Sequence, residues 1–280
     1  MSRMRYCLQL LGEALRVVPT GKPFVVDSGK ELSLHFDACV VQSAMRHHAP
    51  DELVLGYTRT MMSFLLFVPA PRRVAMIGLG GGSLAKYIHR HLPDTHVTAV
   101  EIDPNVIALR KRFTIPDDSA RFRVLCLDGA DYVVQAHDSS DVLLVDGFDV
   151  SGQPPQLCSE AFYGACLERL APRGVLVVNL WTAIKQHALS THRIHRVFGH
   201  CVLRVPAEES GNSIVFAWKD AAFASSAGTL EREAKRLKSV HGLDFPRVAR
   251  ALVEALKERR DTSARRHPAA PYRSPRGTAS

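Results

Sequence analysis

The sequence predicts an α/β fold: a seven-stranded, mostly parallel sheet covered by helices, with a small antiparallel β unit ahead of it. Three observations predict it. Residues 74–103, VAMIGLGGGSLAKYIHRHLPDTHVTAVEID, read as strand, glycine turn, helix, strand and terminal acid. Across residues 72–218, short apolar runs alternate with helix-like stretches, the signature of a parallel sheet with helices on both faces. The last two apolar runs are joined by a link too short for a crossover helix, so they pair antiparallel.

Taken in order, Phe24-Val25-Val26, Leu32–Phe36 and Cys39-Val40-Val41 are short strands separated by the turn signals Asp27–Lys30 and Asp37-Ala38. They form a β unit over 1–55 that is too small to bury its own core, so it should pack on the main domain or on a second copy. From Pro50 to Phe67 the apolar positions Leu53, Tyr57, Met61 and Leu65 recur every fourth residue, a helical spacing ended by Pro69 and Pro71. The main domain, 56–220, places strands at Val74–Ile77, His96–Val100, Phe122–Leu127, Val142–Val145, Val175–Asn179, Cys201–Val205 and Ile214–Trp218. Helices fall near 83–92, 104–113, 159–170 and 185–198. Residues 221–260 read as helices, with Phe245, Val248, Leu252, Val253 and Leu256 on one face. The segment 261–280, rich in Pro, Arg, Ser and Ala, reads as a disordered basic tail with no assigned role.

The chain of 280 residues is 46% hydrophobic and 23% charged, ordinary for a globular protein with a full core. Its net charge of +8 permits contact with anionic surfaces. Part of that charge sits in the tail, however, and no basic stripe interleaved with aromatics marks a nucleic-acid face. The six cysteines are scattered without a C-x-x-C pair, as in a reducing compartment. The histidine pairs His47/His48 and His89/His91 lack acids at ligand spacing, so no metal site is expected. The N-terminal apolar segment is broken by Gln9, Glu13 and Arg16, a poor signal peptide, and Met61–Ala70 is too short to span a bilayer. The expected location is the cytoplasm, with no membrane contact.

In an open parallel sheet, ligands bind beyond the carboxyl ends of the strands. The residues just past each strand are therefore the ones to inspect. After the first strand comes the turn Gly78, Gly80, Gly81, Gly82; after the second, Glu101, Ile102 and Asp103; after the third, Asp128, Gly129 and Asp131; after the fourth, Asp146, Gly147, Phe148 and Asp149. The glycines let a ligand approach the backbone, and the start of the next helix favours an electron-rich group. Glu101 is placed to accept hydrogen bonds from two ribose hydroxyls. Any one of these acids could be a helix cap or a solvated loop residue, but their convergence on one edge points to a nucleoside site. Asp128, Asp146 and Asp149 also concentrate negative charge in a basic protein, which suits an amine ligand. A carboxylate there can accept a proton as the amine becomes a nucleophile.

These motifs, GLGGGS, VEID, LDGAD, LLVDGFDVSGQP and EAFYGACLERLAPRGVLVVNLW, occur in an order that resembles the spermidine/spermine synthases, or polyamine aminopropyltransferases, over residues 22–218. The resemblance implies a Rossmann-like sheet of the methyltransferase type behind an N-terminal β unit, assembled as homodimers or homotetramers. It implies aminopropyl transfer from decarboxylated S-adenosylmethionine to a polyamine such as putrescine, without a metal. On this likeness Gly78, Gly80, Gly81, Gly82, Glu101, Ile102, Asp128, Gly129 and Gln42 hold the nucleoside co-substrate. Asp146 is the catalytic base and also borders the co-substrate, Asp149 is the second acid of its loop, and Tyr57 and Asp149 meet the amine.

The chain departs from the family pattern at three places. The family's G-G-G-D-G-G has an Asp where Gly81 stands, Tyr-x-Glu-Met becomes Tyr57-Thr58-Arg59-Thr60, and Asp-Ser-Ser-Asp-Pro becomes Asp146-Gly147-Phe148-Asp149-Val150. This marks a divergent, spermidine synthase-like branch. Losing the Asp removes a repulsion against the carboxylate of ordinary S-adenosylmethionine, so discrimination between the two co-substrates is expected to weaken or reverse. The competing readings are a methyltransferase using S-adenosylmethionine on the same scaffold, a non-catalytic nucleoside binder and a nicotinamide dehydrogenase.

Overall fold

The structure, a computed structural model, describes residues 22–37, 40–135, 138–149, 152–182, 186–209, 211–220 and 227–266. Cys7, Cys39, Val150 and most of the basic tail lie outside them. The small unit is a three-stranded antiparallel sheet of β1 (Phe24–Asp27), β2 (Glu31–His35) and β3 (Val41–Arg46). A short helix α1 (Gly56–Met61) and a 3-10 turn (Met62–Leu66) lead into the main sheet. That sheet comprises β4 (Arg73–Ile77), β5 (His96–Glu101), β6 (Phe122–Cys126), β7 (Ser140–Val145), β8 (Leu170–Trp181), β9 (Val202–Pro206) and β10 (Asn212–Trp218). The helices between and after them are α2 (Ser83–His91), α3 (Pro104–Ala108), α4 (Gly129–Gln135), α5 (Glu160–Arg169), α6 (Gln186–Phe198), α7 (Ala227–His241) and α8 (Phe245–Arg266).

The strand order is β6-β5-β4-β7-β8-β10-β9. Parallel pairing runs from β6 through β8, and β10 is antiparallel to both β8 and β9. Chain order reverses at β4, whose neighbours β5 and β7 lead away in opposite directions. A crevice must open there at the carboxyl ends, since the connecting helices depart on opposite faces.

The sheet is buried on both sides because the strands present apolar residues to both. Val74 and Met76 join one core with α2, α7 and α8, whereas Ala75 and Ile77 join the other with α4, α5 and α6. All four residues of Val142–Val145 are fully buried. Each such side chain contributes roughly 1.5–3 kcal/mol, which explains an apolar run without alternation. Leu32, Leu34 and Met45 of the small sheet join the first core. That unit is thus packed on the main domain, as its lack of an independent core requires.

Several expectations need correction. The third strand is Val41–Arg46, not Cys39–Val41. Its polar Gln42 and Ser43 masked the strand pattern, and both line the crevice. The helix expected over 50–67 is only Gly56–Met61, with the 3-10 turn completing the apolar spacing. The helix near 104–113 stops at Ala108, after which Arg110 is tied to the carbonyl of Pro116 and Thr114 adopts φ +52°. Helix α4 was not expected. It starts on a glycine and carries Val133-Val134, both weak helix signals. Finally, α8 continues to Arg266, so the segment expected to be disordered from 261 begins inside a helix. Glu254, Ala255, Leu256, Lys257 and Glu258 are good helix formers, and the Pro-rich composition starts only at Pro268.

Candidate active site

The carboxyl end of β4 is knitted to its neighbours through backbone. The Gly78 N–H donates to the Val100 carbonyl at 2.8 Å, and the Asp146 N–H donates to the Ile77 carbonyl at 2.9 Å. Gly78 has φ +91°, and a Cβ there would sit 2.3 Å from the Asp146 carbonyl oxygen. Only glycine meets both demands. One residue on, the Leu79 N–H donates to Glu101 Oε2 at 2.9 Å, and the Asp103 N–H donates to Glu101 Oε1 at 3.0 Å. The carboxylate is buried and fixed by two amides, with lone pairs left for a ligand. Asp128 caps α4, its Oδ1 accepting from the Ala130 N–H at 2.8 Å, while Gln156 reaches its other oxygen at 3.5 Å. Gly129 has to be small, because a Cβ would lie 2.3 Å from Ile77 Cγ2.

Asp146, at the end of β7, is half-buried beside polar partners. Asn179 Nδ2 donates to its Oδ1 at 2.8 Å, and Asn179 Oδ1 accepts from Asn212 Nδ2 at 2.8 Å. The Tyr57 hydroxyl lies against the same carboxylate, and it also donates to the Gln42 carbonyl at 3.3 Å. Burial pushes the Asp146 carboxyl up to about 7, against the opposing pull of the Asn179 and Tyr57 hydrogen bonds. Burial, together with the charge of Asp146, pushes the Tyr57 phenol well above its ordinary value. An acid that titrates near neutrality, with its geometry set by an amide relay, is suited to proton transfer.

These groups share one cavity of about 440 Å³. Gln42, Tyr57, Gly78, Gly80, Glu101, Ile102, Asp128, Gly129, Asp146 and Asp149 all line it. Gly81 and Gly82, expected at the co-substrate, do not. A Cβ on Gly81 would meet the Phe113 ring and Ser43 Oγ, each at 2.7 Å, and one on Gly82 would meet Ile115 at 2.6 Å. Both glycines serve packing behind the turn. Among the described residues the wall carries Asp37, Glu101, Asp128, Asp146, Asp149 and Glu209, and no Lys, Arg or His.

Comparison with known proteins agrees with this arrangement. The spermine/spermidine synthase domain family matches residues 54–207. A polyamine aminopropyltransferase of Neisseria meningitidis serogroup A is 39% identical over 242 residues, covering 85% of this chain and 92% of the relative. The chain belongs to the spermine/spermidine synthase family. It is therefore a transferase. In fold it is similar to a probable spermidine synthase from Corynebacterium glutamicum, with TM-score 0.63 and 19% identity, covering 76% of this chain and 83% of the other. It is also similar to human methyltransferase-like protein 13 in complex with SAH, with TM-score 0.58 and 23% identity, covering 70% and 93%.

Sequence reasoning missed several residues of the cavity wall. Asn179, Trp181, Asn212, Glu209, Ser43 and Ser83 all border the cavity. Asn179 and Trp181 end β8, so extending the strand-end rule to the fifth strand would have found them. The others come from the β9–β10 turn, the start of β10, a strand of the small sheet and a helix start, and nothing local aims them at the crevice. Two of these histidines have ion-pair partners distant in sequence: His91 pairs with Asp51 at 3.0 Å, and His47 with Asp27 at 2.9 Å. Each has one acid partner, brought from a distant segment or strand. Among the described residues no group of His, Cys, Asp and Glu could hold a metal ion, and no helix is long and apolar enough to cross a membrane.

Proposed function

We propose that this chain transfers an aminopropyl group from decarboxylated S-adenosylmethionine to a polyamine of the putrescine class. The observation that carries the reading is the sign of the cavity. Among the described residues its wall has six acidic side chains, of which Glu209 is ion-paired with Arg59 from behind, and no basic side chain, in a protein whose net charge is +8. Such a wall attracts a sulfonium and an amine and offers no cation to a carboxylate. Glu101 would bind the ribose hydroxyls, with Asp128 at the adenine and the Gly78–Gly80 backbone beside the nucleoside. Asp146 would take a proton from the ammonium, and the lone pair so freed on the neutral amine then forms the new N–C bond. The C–S bond breaks, its electron pair stays on sulfur, and neutral methylthioadenosine leaves. The sulfonium is already a good leaving group, so alignment and proton removal are the protein's tasks. Asp149 and Tyr57 would hold the amine. The small sheet supports assembly as a homodimer or homotetramer, and the chemistry fits a cytoplasmic enzyme.

A second reading, a methyltransferase using S-adenosylmethionine, is favoured by one observation. In place of the family's Asp, the turn beside Gly81 faces neutral groups, the Ser43 and Ser83 hydroxyls lying 3.3 Å apart. Hydroxyls can donate to a carboxylate. Calorimetric titration with the two co-substrates, followed by product mass with putrescine, separates the readings. Spermidine as product, with less than a tenfold preference for the decarboxylated form, is the expected result. The reverse preference with a methylated product would establish the second reading.

A further inference from the structure

Resting on the amine-transfer reading above, we infer that Arg59 is a positioning residue for the acceptor amine, clamping the β9–β10 turn onto α1 and so fixing the amine-facing wall of the cavity. Arg59 is itself outside the cavity wall. Its Nη1 donates to the carbonyls of Leu53 at 2.9 Å and Val54 at 2.8 Å. Its Nη2 donates to Glu208 Oε1 at 3.1 Å and Glu209 Oε2 at 2.7 Å. One planar guanidinium thus joins four acceptors on two segments far apart in sequence, a geometry lysine cannot reproduce.

Two other features of α1 are shaped to the same turn. Thr60 Oγ1 accepts from the Glu208 N–H at 3.0 Å. Gly56 leaves space that any side chain would fill, since a Cβ there would lie 1.8 Å from the Glu208 carbonyl oxygen. The turn is also strained: Glu209 holds φ +53°, a left-handed conformation that a non-glycine residue keeps only when its surroundings enforce it.

What the clamp holds is functional wall. Glu209 lines the cavity from the turn, Asn212 from the first position of β10 just after it, and Tyr57 from α1. Asn212 reaches Asp146 through Asn179, and Tyr57 lies against the Asp146 carboxylate. The nucleoside side of the cavity is built separately, by Glu101 on β5 and Asp128 after β6, at the opposite end of the strand order. Releasing the clamp therefore disturbs the amine half and leaves the nucleoside half in place.

The test compares wild type, Arg59→Ala and Arg59→Lys by calorimetry with 1,4-diaminobutane and, separately, with methylthioadenosine, alongside hydrogen exchange of the β9–β10 turn. Arg59→Ala is expected to speed exchange in the turn, weaken the diamine at least tenfold, and leave methylthioadenosine within twofold. Arg59→Lys should fall between and remains informative if the alanine variant does not fold. Unchanged exchange in the turn would overturn the clamp, and parallel weakening of both ligands would overturn its selectivity for the amine half. A wild-type protein that binds methylthioadenosine but no diamine would instead overturn the amine-transfer reading, and the positioning role with it.

Discussion

At the residue scale the decisive group is Asp146. Its carboxyl is raised by burial from 3.8 to about 7, so between those values the native state keeps a proton that the unfolded chain has lost. Stability contributed by this group therefore falls as pH rises through that window, by at most about 4 kcal/mol in total. Asp146→Asn removes the penalty. It is expected to raise Tm at pH 8 and to leave it nearly unchanged at pH 4, by thermal unfolding at both values. The same variant should abolish transfer while retaining nucleoside affinity. In wild type, kcat/KM should rise with pH through about 7 and then level off, because the carboxylate of the free protein is the form that accepts the proton. A flat profile would remove Asp146 as the base. Glu101 gives a second test. Both its oxygens accept backbone N–H groups, so Glu101→Gln turns an amide nitrogen toward a donor. The expected cost is about 1–3 kcal/mol of stability with at least a tenfold loss of methylthioadenosine affinity.

At the element scale, the glycine turn and the helix starts show which local rules hold tertiary consequences. Gly78 and Gly199 both have positive φ, but only Gly78 faces another chain segment closely. Gly199→Ala is expected to cost about 1–2 kcal/mol, the backbone strain alone. Gly78→Ala adds a collision with the Asp146 carbonyl, so it should cost far more stability in denaturant titration and destroy the site. Ser159 is an ordinary cap, its Oγ accepting from the Phe162 N–H at 3.0 Å. Ser159→Ala should lower stability by about 1 kcal/mol without altering ligand affinity.

At the scale of the whole molecule, the helices α7 and α8 cover apolar surface around the 3-10 turn Met62–Leu66, and α8 also packs on β9. Leu230, Leu237, Phe245 and Leu252 are buried in that core, which contains Phe67 stacked on Trp218 at 5.8 Å. Ending the chain before Ala227 should expose this face. The expected signs are ANS binding and a red shift of tryptophan emission, and a truncated chain with native spectra and no ANS binding would contradict the packing argument. The charge distribution has a similar logic. A basic body surrounding an acidic cavity attracts a cationic substrate only at short range, where the local carboxylates outweigh the distant net charge.

The alternation of strands and helices, the glycine turn, and the acids Glu101, Asp128, Asp146 and Asp149 were all legible in the amino-acid order. Each of these comes from local rules: period, strand length, turn chemistry and the place where a parallel strand ends. It could not supply the partners of those acids, because Asn179, Asn212 and Tyr57 meet Asp146 across long sequence separations. It took the folded chain to show that Gly81 and Gly82 face packing and that Gln42 and Ser43 belong to a strand facing the crevice. The packing of α1 against the β9–β10 turn was likewise invisible in sequence. The physical reason is the same in each case: a side chain's burial and charge environment is set by what packs against it, and those neighbours come from elsewhere in the chain.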